Sequence, residues 1–530
     1  MKVRRYRFYG DARAFTSTVL LAVAIAGFVV TSAKADDKMR SSPPDTKSYS
    51  RPLVPEDLTL GKTAGTAGQA AGVNFSVVDT VVNNTNPNLQ FTDAFNDGET
   101  SIAVNPLHQN EIVITAFSGA WGAAAPLWLS RNGGGTWTKE FTINPPPGVA
   151  GVPGCPCDQT VDFGSFFNRL AGTFLTFATN VYSAFTANPA TFPSFHYLLD
   201  LNGVAISTNS SGINFADQPW LLVGPQPGVI GGENVYVAYD DFSGAPDMHV
   251  AVAAATDPPS FTIDNISGFS TGFVNPGHRL AIDPVSGAVY SLFQQRIAPG
   301  LGLSQNINYM LNRSTDGGVT WGLPGFPFGM VVANADSDQP FTPKFCTVNA
   351  LLGGVDHAAV DPQTGDVVYV YGNRDPTTGN NRLAVRRLTD DGMGGLSVGP
   401  EIFITGQVQA AIPSVGITDN GTIGVFYYTC DQVPPVSPFP VFTGHFAIST
   451  DGGATFHTGI DLETFLSPEV DNIRDPRQRV LGDYMQVKAV GNTFFGSFTG
   501  NGAPFGRNIS NNDPIFYKVS VDPLAGIARR

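Results

Sequence analysis

The stretch Ser314–Trp321 reads Ser-Thr-Asp-Gly-Gly-Val-Thr-Trp, and the chain repeats it twice in nearly the same form. Residues 130–137 read Ser-Arg-Asn-Gly-Gly-Gly-Thr-Trp, and residues 449–456 read Ser-Thr-Asp-Gly-Gly-Ala-Thr-Phe. Each copy follows a short apolar run (127–129, 307–311 and 446–448), so each predicts a hairpin turn leaving a strand. A short Asp or Asn side chain accepts hydrogen bonds from turn N–H groups, and the glycines supply positive φ without steric cost. The hydroxyls fasten the strand ends, and the closing Trp or Phe plugs the turn onto the sheet. Three copies of one turn chemistry point to a repeat architecture.

A second signal recurs ahead of these turns. Residues 278–293 and 356–371 both read as strand, Asp-Pro-x-x-Gly turn, strand, with turns at Asp283-Pro284 and Asp361-Pro362. The same plan is present at Glu99–Phe117, Asp217–Tyr239, Ser414–Tyr428 and Asp483–Phe498, and Asp158–Phe177 is a looser copy. The repeats therefore start near Glu99, Asp158, Asp217, His278, Asp356, Ser414 and Asp483. Steps of 58 to 78 residues fit four strands each. Such a unit cannot bury both faces alone, so the units stack in a ring. The expected fold is all-β, a β-propeller of four-stranded antiparallel blades, with seven blades preferred. Six follow if the Asp158 repeat is an insertion. The last repeat lacks a strand, which Asn74–Val82 could supply, closing the ring and removing its free edges.

The N-terminus has the form of an export signal. Lys2, Arg4, Arg5 and Arg7 precede an apolar run, Thr18–Val30, and Ala33-Lys34-Ala35 offers a cleavage site. The run is short for a membrane span. Residues 1–35 are read as signal peptide, 36–72 as a flexible leader and 73–530 as one domain. Removing residues 1–35 takes six Lys/Arg and one acid from totals of 30 and 44, leaving 24 against 43, or −19. That balance argues against nucleic acid and anionic membrane as partners. The expected state is a secreted or periplasmic monomer. Four cysteines, Cys155, Cys157, Cys346 and Cys430, favour disulfides in an exported chain, with three connectivities open.

The three turns resemble the Asp-box, Ser-x-Asp-x-Gly-x-Thr-Trp, of sialidases and related β-propellers. The resemblance covers roughly residues 74–525. It implies boxes on the outer rim and a glycan-active centre at the mouth of the central channel. A sialidase uses a tyrosine nucleophile paired with a Glu, an Asp acid/base and three arginines. By position in the repeat, this implies Tyr484 as nucleophile, with Arg279, Arg374 and one of Arg474, Arg477 or Arg479 as cations. The Phe/Tyr-Arg-Ile-Pro motif that carries the first sialidase arginine does not occur between Asp36 and Ser130.

In a propeller the first strand of each blade starts at the channel mouth, so the repeat starts should ring it. The catalytic candidates are Asp483, Tyr484, Asp356 and Glu99. The substrate-binding candidates are Arg279, His278, Asp217, Asp158, His357 and Arg374. Clustered carboxylates repel, so some should have raised pKa values and serve as general acids. The competing structural reading is that each Asp caps backbone N–H groups at a strand start. Three functions compete. The first is a glycoside hydrolase on a glycan or acidic polysaccharide. Its variant is a polysaccharide lyase using His278 or His357 with Tyr484. The second is a non-catalytic glycan- or protein-binding propeller, with Trp121, Trp128, Trp220 or Phe326 stacking on sugars or filling blade cores. The third is a scaffold stabilised by Ca2+, with no ligand set assigned. The long stretches Asn144–Asp158 and Gly322–Asp356 are expected to connect blades across the mouth, and Asp431–Pro440 to follow a second strand.

Overall fold

The computed structural model describes residues 66–70, 73–81, 98–117, 122, 125–143, 157–165, 169–175, 181–186, 196–200, 216–241, 247–255, 261–269, 277–299, 304–338, 356–432, 440–466, 481–501, 504 and 512–521. The expected signal peptide lies outside these residues, as do Cys155, Cys346, Trp121, Arg474, Arg477 and Arg479; of the expected flexible leader, residues 66–70 instead form a strand paired with residues 73–77. Thirty strands form seven separate antiparallel sheets, and no helix occurs among the described residues. The molecule is a seven-bladed β-propeller, so the Asp158 repeat is a blade and not an insertion.

Blade 1 holds β3 (Ser101–Val104) to β6 (Thr138–Thr142), and blade 2 holds β7 (Cys157–Phe163) to β10 (His196–Asp200). Blade 3 runs from β11 (Ala216–Pro225) through β12 (Glu233–Asp241) to β14 (Phe261–Phe269). Blade 4 runs from β15 (Arg279–Ile282) to β18 (Met330–Asp338), and blade 5 from β19 (His357–Val360) through β20 (Val367–Arg374) to β22 (Leu396–Val398). Blade 6 spans β24 (Ala410–Ile417) to β27 (His457–Leu466). Blade 7 combines β28 (Gln486–Val490), β29 (Thr493–Asn501) and β30 (Asn512–Val521) with β2 (Val73–Asp79) and β1 (Thr66–Ala70). Val73 pairs with Val521 and Asp79 with Ile515, so the N-terminal strand is hydrogen-bonded into the last sheet.

Two first strands, β3 and β24, are buried along their whole length. That is the signature of a strand enclosed between blades. The cores lie between neighbouring sheets. Tyr309, Tyr369 and Tyr371 pack together between blades 4 and 5, and Phe426, Phe446, Phe498 and Tyr517 between blades 6 and 7.

The structure corrects one expected connection. Residues 322–356 are not all a link between blades, because β18 lies within them as the fourth strand of blade 4. Its residues Met330, Val332 and Ala335 are buried while Val331 and Asn334 are exposed. The Pro/Phe/Gly turn at 323–329 precedes that alternation and hid it in the sequence.

The three repeated turns join third to fourth strands in blades 1, 4 and 6. In blade 4, Ser314 Oγ donates to Asp316 (2.8 Å) and accepts the Gly318 N–H (2.8 Å). Asp316 also accepts the Thr320 N–H (2.9 Å) and hydroxyl (2.6 Å). Burial alone would raise this carboxyl, but the Thr320 and Ser314 hydrogen bonds outweigh it and hold the group below its usual range. Gly317 and Gly318 adopt φ of 76° and 87°, which β-carbon-bearing residues rarely reach. Blade 6 repeats this arrangement through Ser449, Asp451, Gly453 and Thr455. The closing ring is buried at Trp137 and Phe456 and half-buried at Trp321.

Ser449 is buried and accepts the Gly453 N–H at 2.9 Å. Ser449→Ala leaves that donor without a partner, so urea unfolding should show a loss of about 1–3 kcal/mol. A stability equal to wild type would show that the hydroxyl does not hold the turn.

Candidate functional site

Strands in a blade alternate in direction. All first strands therefore start on one face, and the first-to-second and third-to-fourth turns share the other. The starts of β7, β11 and β24 carry a bulge, and a non-glycine residue near each adopts positive φ: Asp158 (42°), Gln218 (49°) and Ile412 (51°). Glu99, just ahead of β3, does the same (53°). Such backbone costs roughly 1–3 kcal/mol per residue and persists only where its surroundings enforce it. At Glu99, Asp158 and Gln218 the residue so placed is polar, and at Ile412 it is part of the core.

Arg279 is the centre of this region and is fully buried. Its Nη2 donates to Gln218 Oε1 (2.8 Å), and its Nη1 donates to the His278 carbonyl (3.1 Å). Gln218 Nε2 in turn donates to Asp483 Oδ2 (2.6 Å). The guanidinium lies over the rings of Trp220 (4.6 Å) and Tyr484 (5.0 Å), which meet edge to face. Burial pulls Arg279 below its ordinary range, against the upward pull of Tyr484, Asp240, Asp356 and Asp483. Tyr484 is buried and donates to the Gln159 carbonyl (3.2 Å). Burial raises its phenol first; the charges of Glu99 and Asp158 add to this. Acids from blades 3, 5 and 7 thus act on one arginine from blade 4, and acids from blades 1 and 2 act on Tyr484 beside it.

Two of these acids are displaced most. Burial pushes Asp240 up to about 7, although the Gly277 N–H (3.1 Å) and Arg279 pull it down. Burial also pushes Asp356 up to about 6, with Tyr369 and Gln294 as its hydrogen-bond donors.

The structure brings Glu99, Asp158, Arg279, Asp356, Asp483 and Tyr484 together. It turns Asp217, His278 and Arg374 away from it, and sets His357 against the edge of Trp220 (5.4 Å between ring centroids). Asp217 misses the axis because the bulge moves the inward position one residue on, to Gln218; Asp217 accepts the Gln218 N–H (3.0 Å). His278 is turned into its blade, against Ser291 Oγ (2.8 Å) and the Tyr239 carbonyl (3.3 Å). Burial lowers it to about 3, so it is neutral. His357 is neutral for the same reason, and its Nδ1 accepts the Val415 N–H (3.4 Å). Arg374 ends β20, where its Nε donates to the Gly379 carbonyl (2.9 Å).

Sequence reasoning missed Gln218, Asp240 and Gln294. Asp240 ends a second strand, and no repeat-start pattern reaches it. The aromatics sort by burial: Trp128 and Trp220 are core, whereas Phe326 is half exposed. Cys430 is disulfide-bonded. Among the described residues no three His, Cys, Asp or Glu side chains gather as a metal site.

No family model matches the chain, and neither does any curated protein. Among solved structures it is similar to an ulvan lyase of polysaccharide lyase family PL25 (10% identity, TM-score 0.41, 81% of this chain and 94% of that one). It is also similar to an α-L-arabinanase of Penicillium chrysogenum complexed with arabinobiose (13%, 0.38, 80% and 93%). A third is the GH93 α-L-arabinofuranosidase of Fusarium graminearum (12%, 0.34, 67% and 90%). All three are, by name, glycan-degrading enzymes.

Asp240 and Asp356 have native pKa values of about 7 and about 6, above an ordinary carboxyl near 4. Between those limits the folded chain holds protons that the unfolded chain has lost. The stability they contribute is therefore complete below about pH 4 and is lost as pH rises through about 6 to 7. Thermal unfolding across this window should show Asp240→Asn with a flatter decline toward high pH than wild type. Parallel curves would place Asp240 outside the coupling.

Proposed function

We propose that this chain is an exported glycan-acting enzyme of the hydrolase type, sialidase-like in scaffold, with its centre in the acid ring around Arg279. The carrying observation is the pair of carboxyls, Asp356 and Asp240, held at about 6 and about 7 beside one guanidinium on the propeller axis. Glycoside hydrolysis needs a carboxylic acid still protonated near neutral pH and a second carboxylate. Asp356 is assigned as the acid. Asp483, which accepts from Gln218 and lies in the field of Arg279, is assigned as the partner. Arg279 Nε is buried and has no hydrogen-bond partner.

Tyr484 has a different role from the one its position suggests. Its hydroxyl is bound to the Gln159 carbonyl and its ring supports Arg279, so it positions the cation. The lyase reading asks His278 or His357 for a base; both ring nitrogens of His278 are within hydrogen-bond reach of partners, and Nδ1 of His357 accepts from Val415. Asp356 and Asp240 are buried, so substrate reaches them only by displacing what covers the ring.

The test is a screen of purified protein against sialosides and acidic and neutral polysaccharides, read as new reducing ends and as ultraviolet absorbance. Turnover should fall about 100-fold or more in Asp356→Asn, and wild-type activity should fall as pH rises past about 6 to 7. Unchanged turnover in Asp356→Asn would refute the assignment. An ultraviolet-absorbing product would make the enzyme a lyase, and glycan binding without turnover would make it a binding propeller.

A further inference from the structure

We propose that Tyr369 is a positioning residue for the acid Asp356, its hydroxyl changing direction with the proton on that acid. What the acid does rests on the hydrolase reading above; the contact itself stands on the geometry. Tyr369 lies on β20, the second strand of blade 5, and Asp356 stands just ahead of β19, the first. Both side chains are fully buried. The Tyr369 hydroxyl is within hydrogen-bond reach of two acceptors, Asp356 Oδ2 and the Met310 carbonyl (3.2 Å). It has one proton to donate and lone pairs with which to accept.

Two arrangements satisfy this set. With Asp356 ionised, Tyr369 donates to Oδ2 and Gln294 Nε2 donates to Oδ1 (3.0 Å), so both carboxylate oxygens are matched. With Asp356 protonated on Oδ2, that O–H donates to Tyr369 Oη, and the tyrosine turns its own proton to Met310. Neither state leaves a buried donor over. A lysine or a backbone N–H in that place could only donate, and would hold the acid ionised.

The surroundings keep the hydroxyl in this place. Tyr309 and Tyr371 flank the Tyr369 ring (6.4 and 6.2 Å between ring centroids). Their own hydroxyls donate to the Gly372 carbonyl (2.8 Å) and to Glu401. Of the charged groups, Arg279 favours the ionised form of Asp356, and Asp356 in turn raises Asp240; Asp483 acts on the same arginine. Burial outweighs Tyr369, Gln294 and Arg279 together, so the protonated form is reached.

In the reaction assigned above, the electron pair of the glycosidic bond goes to the leaving-group oxygen, which takes the proton of Asp356. Tyr369 keeps its own proton and swings it from Met310 to the new carboxylate. The hydrogen bond strengthens as negative charge appears, which is where it accelerates the step.

Tyr369→Phe keeps the ring and removes the hydroxyl. Infrared titration of the full chain reads Asp356 as the protonated-carboxyl band that Asp356→Asn lacks. Its midpoint, about 6 in wild type, should rise by about one pH unit in Tyr369→Phe, because the ionised form loses a donor. Tyr371→Phe removes the neighbouring hydroxyl and should leave the midpoint in place. In wild type, one tyrosine Cζ resonance should titrate at the Asp356 midpoint and stop doing so in Asp356→Asn. Where a glycan is turned over, the high-pH limb of kcat/KM should move up with the midpoint, and kcat below that limb should fall about tenfold. An unmoved midpoint in Tyr369→Phe, an equal rise in Tyr371→Phe, or no tyrosine resonance that follows Asp356 would each overturn the proposal. A wild type that turns over no glycan would refute the hydrolase reading alone, because the infrared and resonance titrations need no substrate.

Discussion

Neighbouring blades are held to each other by a polar side chain that crosses each seam near the axis. Ser101 Oγ accepts the Val161 N–H (2.9 Å), and Thr160 Oγ1 accepts the Leu221 N–H (2.9 Å). Gln218 reaches Arg279, and Gln294 reaches Asp356. His357 accepts from Val415, Ser414 accepts the Val487 N–H (2.9 Å), and Gln486 accepts from Ser101 (2.8 Å), which returns the series to blade 1. First strands do not hydrogen-bond to each other in a propeller, so their spare polar groups need partners across the seams. These side chains supply them. Apolar packing fills the space between blades, but it is indifferent to small slides; the hydrogen bonds set the register.

The same constraint explains why the first strands begin in unfavourable backbone. A regular strand start would send alternate residues to the neighbouring blade and to the axis without regard to chemistry. The bulges at Asp158, Gln218 and Ile412 shift that alternation by one. Gly482 shows how tightly the seam between blades 7 and 1 is drawn. A β-carbon there would lie 2.4 Å from Glu99 Cγ, and its φ of 84° is one that glycine tolerates.

Much of the architecture could be read from the residues because turn chemistry is local. Ser314, Asp316, Gly318 and Thr320 interact within one turn, so their spacing alone identifies it. The repeat starts were legible for a similar reason: Glu99, Asp158, Asp356 and Asp483 stand just ahead of, or at the start of, strands that do begin there. Asp217 was not, because a one-residue bulge has no sequence signature when several polar residues are adjacent. Nor could His278 be read, since its ring turns away from the axis toward Ser291. Asp240 comes from a second strand and acts on Arg279 across the seam between blades 3 and 4.

Charge accounting on the axis links the scaffold to its chemistry. Arg279 is one cation, and Asp240, Asp356 and Asp483 all act on it. Were all three acids ionised, the cluster would carry an uncompensated negative charge in a region closed to water, which is costly. The protein lowers that charge by raising the pKa of two of the three, Asp240 and Asp356. A second arginine would have removed the excess charge and, with it, the protonated acids. A ring with too few cations is therefore a sufficient physical reason for carboxylic acids that persist near neutral pH, whatever substrate they meet.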